Sequence, residues 1–136
     1  MLFATWIYVS KSRIKSAAAE MELDHIVNAS RTRNLSISVT GALLFTGERF
    51  AQCIEGPEPA LSELRASIMR DRRHHEIVTL AEGVIGSRHF DAWSLAYAGP
   101  ATFVTRQLEA SLLDAKIGLP TAGSLIRALL QEFVRD

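Results

Sequence analysis

Phe3 to Ser10 (FATWIYVS) is a short run of aromatic and β-branched residues bounded by Lys11, Arg13 and Lys15, the pattern of a strand buried on both faces. Between about Ser16 and Ser30, Leu23, Ile26 and Val27 fall at i, i+3 and i+4 behind an alanine-rich start, which predicts a helix. Leu35–Phe45 and Arg49–Ile54 read as strands, and Thr46, Gly47 and Glu48 between them suit an antiparallel hairpin. Gly56, Pro57 and Pro59 interrupt the pattern. Pro59 is tolerable in the first turn of a second helix, whose face is marked by Leu61, Leu64 and Ile68 and which should end near Asp71. Ile77–Ile85 and Phe90–Tyr97 predict two further strands. On the last, Trp93, Leu95 and Tyr97 share one face and Ser94 and Ala96 the other.

The order βαββαββ, with two helices on one face of a largely antiparallel sheet, predicts an α+β sandwich of ferredoxin-like type over residues 1–98. Beyond Gly99 and Pro100 the period becomes helical. Arg106–Lys116 forms one segment, Gly118 to Pro120 interrupts, and Leu125, Ile126, Leu129, Leu130, Phe133 and Val134 make a second apolar stripe. A tail spanning 99–136 is too short to fold by itself, being below roughly 40 residues. It is expected to pack as a helical pair on the sheet's other face, which also explains a first strand apolar on both sides.

The 136 residues allow one core, and 48% apolar with 22% charged residues is globular composition. Fifteen basic residues balance fifteen acidic ones, so nothing asks for a nucleic acid. The single cysteine, Cys53, has no partner for a disulfide or a zinc site and reads as a buried inert thiol in a cytoplasmic protein. No apolar run approaches the roughly 20 residues that span a bilayer. Phosphate-loop, dinucleotide, nucleophile-elbow and zinc-protease motifs are all missing, and adjacent His74 and His75 diverge too much to share a metal.

What remains is a set of polar residues inside apolar runs: Tyr8, Asn34, Gln52 and the indole of Trp93. Burying an amide such as Gln52 without partners costs roughly 1 to 3 kcal/mol, so it implies a specific partner or an edge position. Singly, each has an ordinary reading: a satisfied core phenol, a cap, a solvent-facing amide, core packing.

Together, I-Y-V-S at the start, S-R-x-x-N followed by V-T-G-A-L-L-F, F-x-Q-x-I-E-G, M-R-D-x-R-H-H and R-x-F-x-x-W-S-L-A-Y resemble the BLUF family of blue-light sensors using flavin, in order and spacing over residues 1 to about 98. The resemblance implies a non-covalent flavin, FAD with FMN or riboflavin as alternatives, standing between the two helices over the sheet. It implies that Tyr8 is the photoactive tyrosine and Gln52 the switching amide, with Asn34 hydrogen-bonded to the flavin ring. Asp71, Arg73 and His74 are implied at or near the flavin, the first and last on the ring edge or ribityl chain. Arg33 is a further contact, and Ile26 packs against the ring. Trp93 and Leu95 become the relay to the tail.

The residue types suit that chemistry. A neutral phenol is both a hydrogen-bond donor and an oxidisable group, and a carboxamide presents an acceptor on one side and a donor on the other. The expected protein is therefore a photoreceptor and not an enzyme. Its signal leaves through the last strand and tail to an unidentified downstream protein, the tail's surface also serving for a homo-oligomer, with no membrane or nucleic acid involved. Two departures stand out. Leu95 occupies a position where the family usually has methionine, and Ser38 replaces the first glycine of the usual G-I-T-G, where a local backbone adjustment is expected. An acylphosphatase-like hydrolase shares the βαββαβ layout, but Val9 to Lys15 lacks the glycines of a phosphate cradle. A ligand-free ferredoxin-like interaction module is the third reading.

Overall fold

A computed structural model describes residues 2–90, 96–98, 104–116 and 121–133. The elements are β1 (Phe3–Ser12), a 3-10 turn (Ser16–Ala18), α1 (Ala19–Ser36), β2 (Thr40–Phe45), β3 (Arg49–Gly56), α2 (Glu58–Arg70), β4 (His74–Ile85), β5 (Ala96–Ala98), α3 (Val104–Lys116) and α4 (Ala122–Phe133). They build a five-stranded sheet in the order β4-β1-β3-β2-β5, antiparallel except for the β2–β5 edge. This is the expected α+β ferredoxin-like architecture.

The hairpin closes on the Phe45–Phe50 pair, with Gly47 at φ 98° and the Thr46 hydroxyl accepting the Arg49 amide at 3.0 Å. A side-chain turn of this kind plus a residue free to take positive φ sets the register of both strands.

Alternation along the strands separates two cores. On one face Trp6, Tyr8 and Ile54 pack against Leu61 and Leu64 of α2, and Leu43, Phe45 and Phe50 pack against Leu23 and Val27 of α1. On the other, Ile7, Val9, Leu44 and Cys53 meet Phe90 and the helices α3 and α4 through Leu108, Leu112, Ile126, Leu129 and Leu130. The central strand β1 is thus buried from Thr5 to Ser10 because both of its faces are covered.

Several boundaries differ from the sequence reading. The first helix runs to Ser36 instead of stopping near Ser30, so β2 starts at Thr40 and not at Leu35. The polar run from Arg31 to Asn34 contains no breaker, and the helix ends only where Ser38 takes φ 60°. Strand β4 begins at His74, three residues before the expected Ile77, because Ser12 and Lys11 of β1 extend far enough to pair with His74 and His75. Phe90 lies in a bend before β5 and not in a strand. Leu125, expected in the buried stripe, is 52% exposed, while α4 turns Ala122, Ile126, Leu129 and Leu130 inward. Trp93, Leu95 and Val134 lie outside the described residues.

Candidate functional site

Tyr8 and Gln52 are direct cross-strand partners on β1 and β3, so their side chains rise from the same face of the sheet. The Tyr8 hydroxyl donates to Gln52 Oε1 at 2.5 Å, and both residues are buried. Burial pushes the phenol's pKa well above its ordinary value; the Asp71 carboxylate adds to this and the Arg33 guanidinium opposes it. Tyr8 is therefore a neutral donor across the physiological range. The amide that offers its oxygen to Tyr8 necessarily directs its NH2 elsewhere.

This pair forms part of the wall of a pocket between α1, α2 and the sheet. Ile26, Ser30 and Arg33 enter from α1 at i, i+4 and i+7, Leu43 and Phe50 from the hairpin, and Ile68 from α2. Asp71, Arg73 and His74 close it where α2 gives way to β4. Asp71 and Arg73 are locked together: Arg73 Nε donates to Oδ1 at 2.9 Å, Nη2 to Oδ2 at 2.5 Å, and the Arg73 amide to Oδ1 at 2.9 Å. Those bonds hold the Asp71 carboxyl below its usual range, while desolvation lowers Arg33 from its ordinary value.

Of the residues implied by resemblance, Tyr8, Ile26, Arg33, Gln52, Asp71, Arg73 and His74 all border the cavity. Asn34 does not. It is fully buried next to Arg33, whose Nη2 lies 3.5 Å from its Oδ1. His74 borders the cavity with both ring nitrogens engaged. The Ile68 carbonyl can only accept, so Nε2–H donates to it at 2.7 Å, and Nδ1 accepts from the Ser10 hydroxyl at 2.7 Å. Ser30, Leu43, Phe50 and Ile68 complete the wall without having been singled out. Helical spacing from Ile26 could have found Ser30, and strand parity with Gln52 could have found Phe50.

A flavin needs apolar cover for a flat ring, polar groups along one ring edge and polar or charged groups for its ribityl chain. Ile26, Leu43, Phe50 and Ile68 supply the first, Gln52 and Tyr8 the second, and Arg33, Asp71 and Arg73 the third. The residues fit the group.

Residues 3–96 match the family described as "Sensors of blue-light using FAD". This chain belongs to the BLUF family. The blue light- and temperature-regulated antirepressor BluF of Escherichia coli (strain K12) is 34% identical over 89 residues, covering 65% of this chain and 22% of that protein. The dark-state structure of BlrB, a BLUF protein, superposes with a TM-score of 0.76 at 30% identity and covers 95% of both chains. A structure of Klebsiella pneumoniae BlrP1 with FMN and cyclic diGMP gives 0.66 at 33% identity, covering 73% of this chain and 26% of that one. The chain spans only 22% and 11% of the first curated relatives it matches. BLUF domains are flavin-binding sensor modules, and the fold found here is theirs. Among the described residues, no group of His, Cys, Asp and Glu could hold a metal ion, and no helix is long and apolar enough to cross a membrane.

Proposed function

We propose that this chain is a blue-light photoreceptor in which Tyr8 and Gln52 form a hydrogen-bond switch beside a non-covalently bound FAD. The observation that carries the proposal is the 2.5 Å bond from the Tyr8 hydroxyl to Gln52 Oε1 on the wall of the pocket between α1, α2 and the sheet. When bound, the flavin would supply a blue-absorbing ring able, once excited, to take an electron and a proton and then return both to the phenol. Tyr8 is the oxidisable residue, and its hydroxyl proton has one short path, to Gln52 Oε1. Rotation or tautomerisation of the amide then exchanges which of its two groups faces the phenol and which faces the cavity. A donor newly turned toward a ring carbonyl stabilises the excited state more than the ground state, giving a small red shift. Low local dielectric and burial hold the altered network after the light is off.

Ile26, Leu43 and Phe50 cover the ring in this reading, Gln52 and Tyr8 serve its polar edge with Asn34 set behind Arg33, and Arg33, Asp71 and Arg73 hold the chain and phosphates. His74 acts as a fixed wall. The chain turns over no substrate. Its output is altered contact of the last strand, with Trp93 and Leu95, and of the C-terminal helices with a downstream protein in the cytoplasm.

Absorption spectra of the FAD-loaded protein before and after blue illumination test this. A reversible red shift is expected in the unsubstituted chain. Tyr8→Phe should keep the flavin spectrum and lose the shift, and Gln52→Leu should do the same. A normal shift in Tyr8→Phe removes the phenol from the mechanism. Chromatography of the flavin released by heat separates FAD from FMN.

A further inference from the structure

Glu55 is fully buried, three residues beyond Gln52 on the same strand, yet it takes no part in the cavity. Odd and even positions of β3 face opposite sides of the sheet, and Glu55 lies on the side of Cys53, away from the flavin site. Its carboxylate accepts hydrogen bonds from the His89 amide at 2.8 Å and the Phe90 amide at 3.0 Å, both on Oε1, and pairs through Oε2 with His89 Nδ1 at 2.6 Å. All of these donors belong to the bend that leaves β4 at one edge of the sheet on the way to β5 at the other.

The same bend is held twice more. Arg88 donates to the Ser38 carbonyl at 2.8 Å, the Thr40 hydroxyl at 2.9 Å and the Glu55 carbonyl at 3.2 Å, with its guanidinium over the Phe3 ring. Phe90 is 2% exposed and sits in the core formed with α3 and α4 through Leu108, Leu112 and Ile126. A buried carboxylate is costly unless its lone pairs are satisfied. Here the His89–Phe90 bend satisfies them, so strand β3 and that bend cannot move independently without stranding either a charge or two amides.

We propose that Glu55 is a positioning residue that carries a movement of the Gln52 strand to the Arg88–Phe90 bend and through Phe90 to helices α3 and α4. The proposal rests on the switch reading above. The carboxylate acts after the photochemistry: it binds neither flavin nor Tyr8, and its loss leaves the colour change intact while breaking the link to the tail.

Hydrogen exchange of the full FAD-loaded chain, dark against blue light, together with absorption spectra, tests it. In the unsubstituted protein the His89 and Phe90 amides should be strongly protected in the dark, and α3 and α4 should show a light-minus-dark difference. Glu55→Leu should retain the red shift but reduce the α3 and α4 difference at least tenfold. Glu55→Gln keeps an acceptor for both amides and should retain at least half of it. His89→Leu, which removes only the ring's bond, should fall between the two. Unprotected His89 and Phe90 amides in the unsubstituted dark protein overturn the latch even if Glu55→Leu does not fold. A full α3 and α4 response in Glu55→Leu overturns it as well. A missing red shift in the unsubstituted protein instead overturns the switch reading itself, and the coupling with it.

Discussion

Gln52 and Cys53 are neighbours on β3 with opposite environments, because successive side chains of a strand face opposite sides of the sheet. Gln52 reaches the cavity, while Cys53 lies fully buried beneath the C-terminal helices. Desolvation, helped by the Glu55 carboxylate, pushes the Cys53 thiol from 9.0 up to about 12, with Thr5 and Arg127 pulling back. For an acid raised on folding, the neutral form is the one stabilised. The contribution is complete below about 9 and is lost as pH rises toward about 12. At pH values near 8 an aromatic disulfide reagent should therefore leave the folded protein unlabelled and titrate one thiol after denaturation; rapid labelling of the folded chain would contradict the burial. Tyr8 and Gln52 were legible in the sequence as polar residues in apolar runs, but their partnership depends on the pairing of β1 with β3, which no local pattern encodes. Asn34 and His74 show the reverse. Their motif positions were legible, but not that one stands behind Arg33 and the other spends both ring nitrogens on Ser10 and Ile68.

The end of α1 turns on a single residue. Ser38 takes φ 60°, the Val39 amide donates to the Asn34 carbonyl at 2.9 Å, and the Ser38 amide donates to the Leu35 carbonyl at 3.4 Å. This is the Schellman closure of a helix, in which the left-handed position is normally glycine. The serine takes the left-handed conformation itself, where an adjustment of the backbone was expected. A non-glycine residue there costs roughly 1–2 kcal/mol, partly offset because glycine loses more freedom on folding. Ser38→Gly should stabilise the protein by up to about 1 kcal/mol, raising Tm by roughly 3–5 °C for a chain of this size. An unchanged or lower Tm would show that the Ser38 side chain contributes something the backbone geometry does not reveal. The same closure explains why the helix and strand were legible here and their boundary was not. Hydrophobic periodicity marks Leu23, Ile26 and Val27, whereas the stop lies in a φ angle at a residue type that rarely adopts it. The hairpin at Thr46 to Arg49 was legible for the opposite reason, since Gly47 announces its own positive φ.

At the scale of the molecule the sheet is covered on both faces, and the tail supplies the second cover. Leu108, Leu112, Ile126, Leu129 and Leu130 all enter the core that holds Ile7, Val9 and Leu44. At roughly 1.5–3 kcal/mol for each buried side chain, these five match the whole net stability of an ordinary domain, roughly 5–15 kcal/mol. The apolar first strand foretold that cover; how closely the helix approaches was not legible, because it depends on one residue without a side chain. A Cβ placed on Gly123 of α4 would stand 2.6 Å from Ala81 Cβ and 3.0 Å from the Leu80 carbonyl oxygen, so α4 rests directly on β4 there. Two effects oppose each other in Gly123→Ala. Alanine gains roughly 1 kcal/mol of helix propensity over glycine. Against it, a contact that short with backbone on one side forces the helix outward, and overpacking costs roughly 1–3 kcal/mol. The clash should win, lowering Tm, and Gly123→Val should lower it further. Gly86, where an added Cβ meets nothing within 4 Å, is the comparison without a clash, and Gly86→Ala should hold or slightly raise Tm. Since α4 also closes the core around Phe90, Gly123→Ala should speed exchange of the Phe90 amide along with those of α4. A higher Tm in Gly123→Ala would mean that helix propensity outweighs the close approach and that α4 rests more loosely on the sheet.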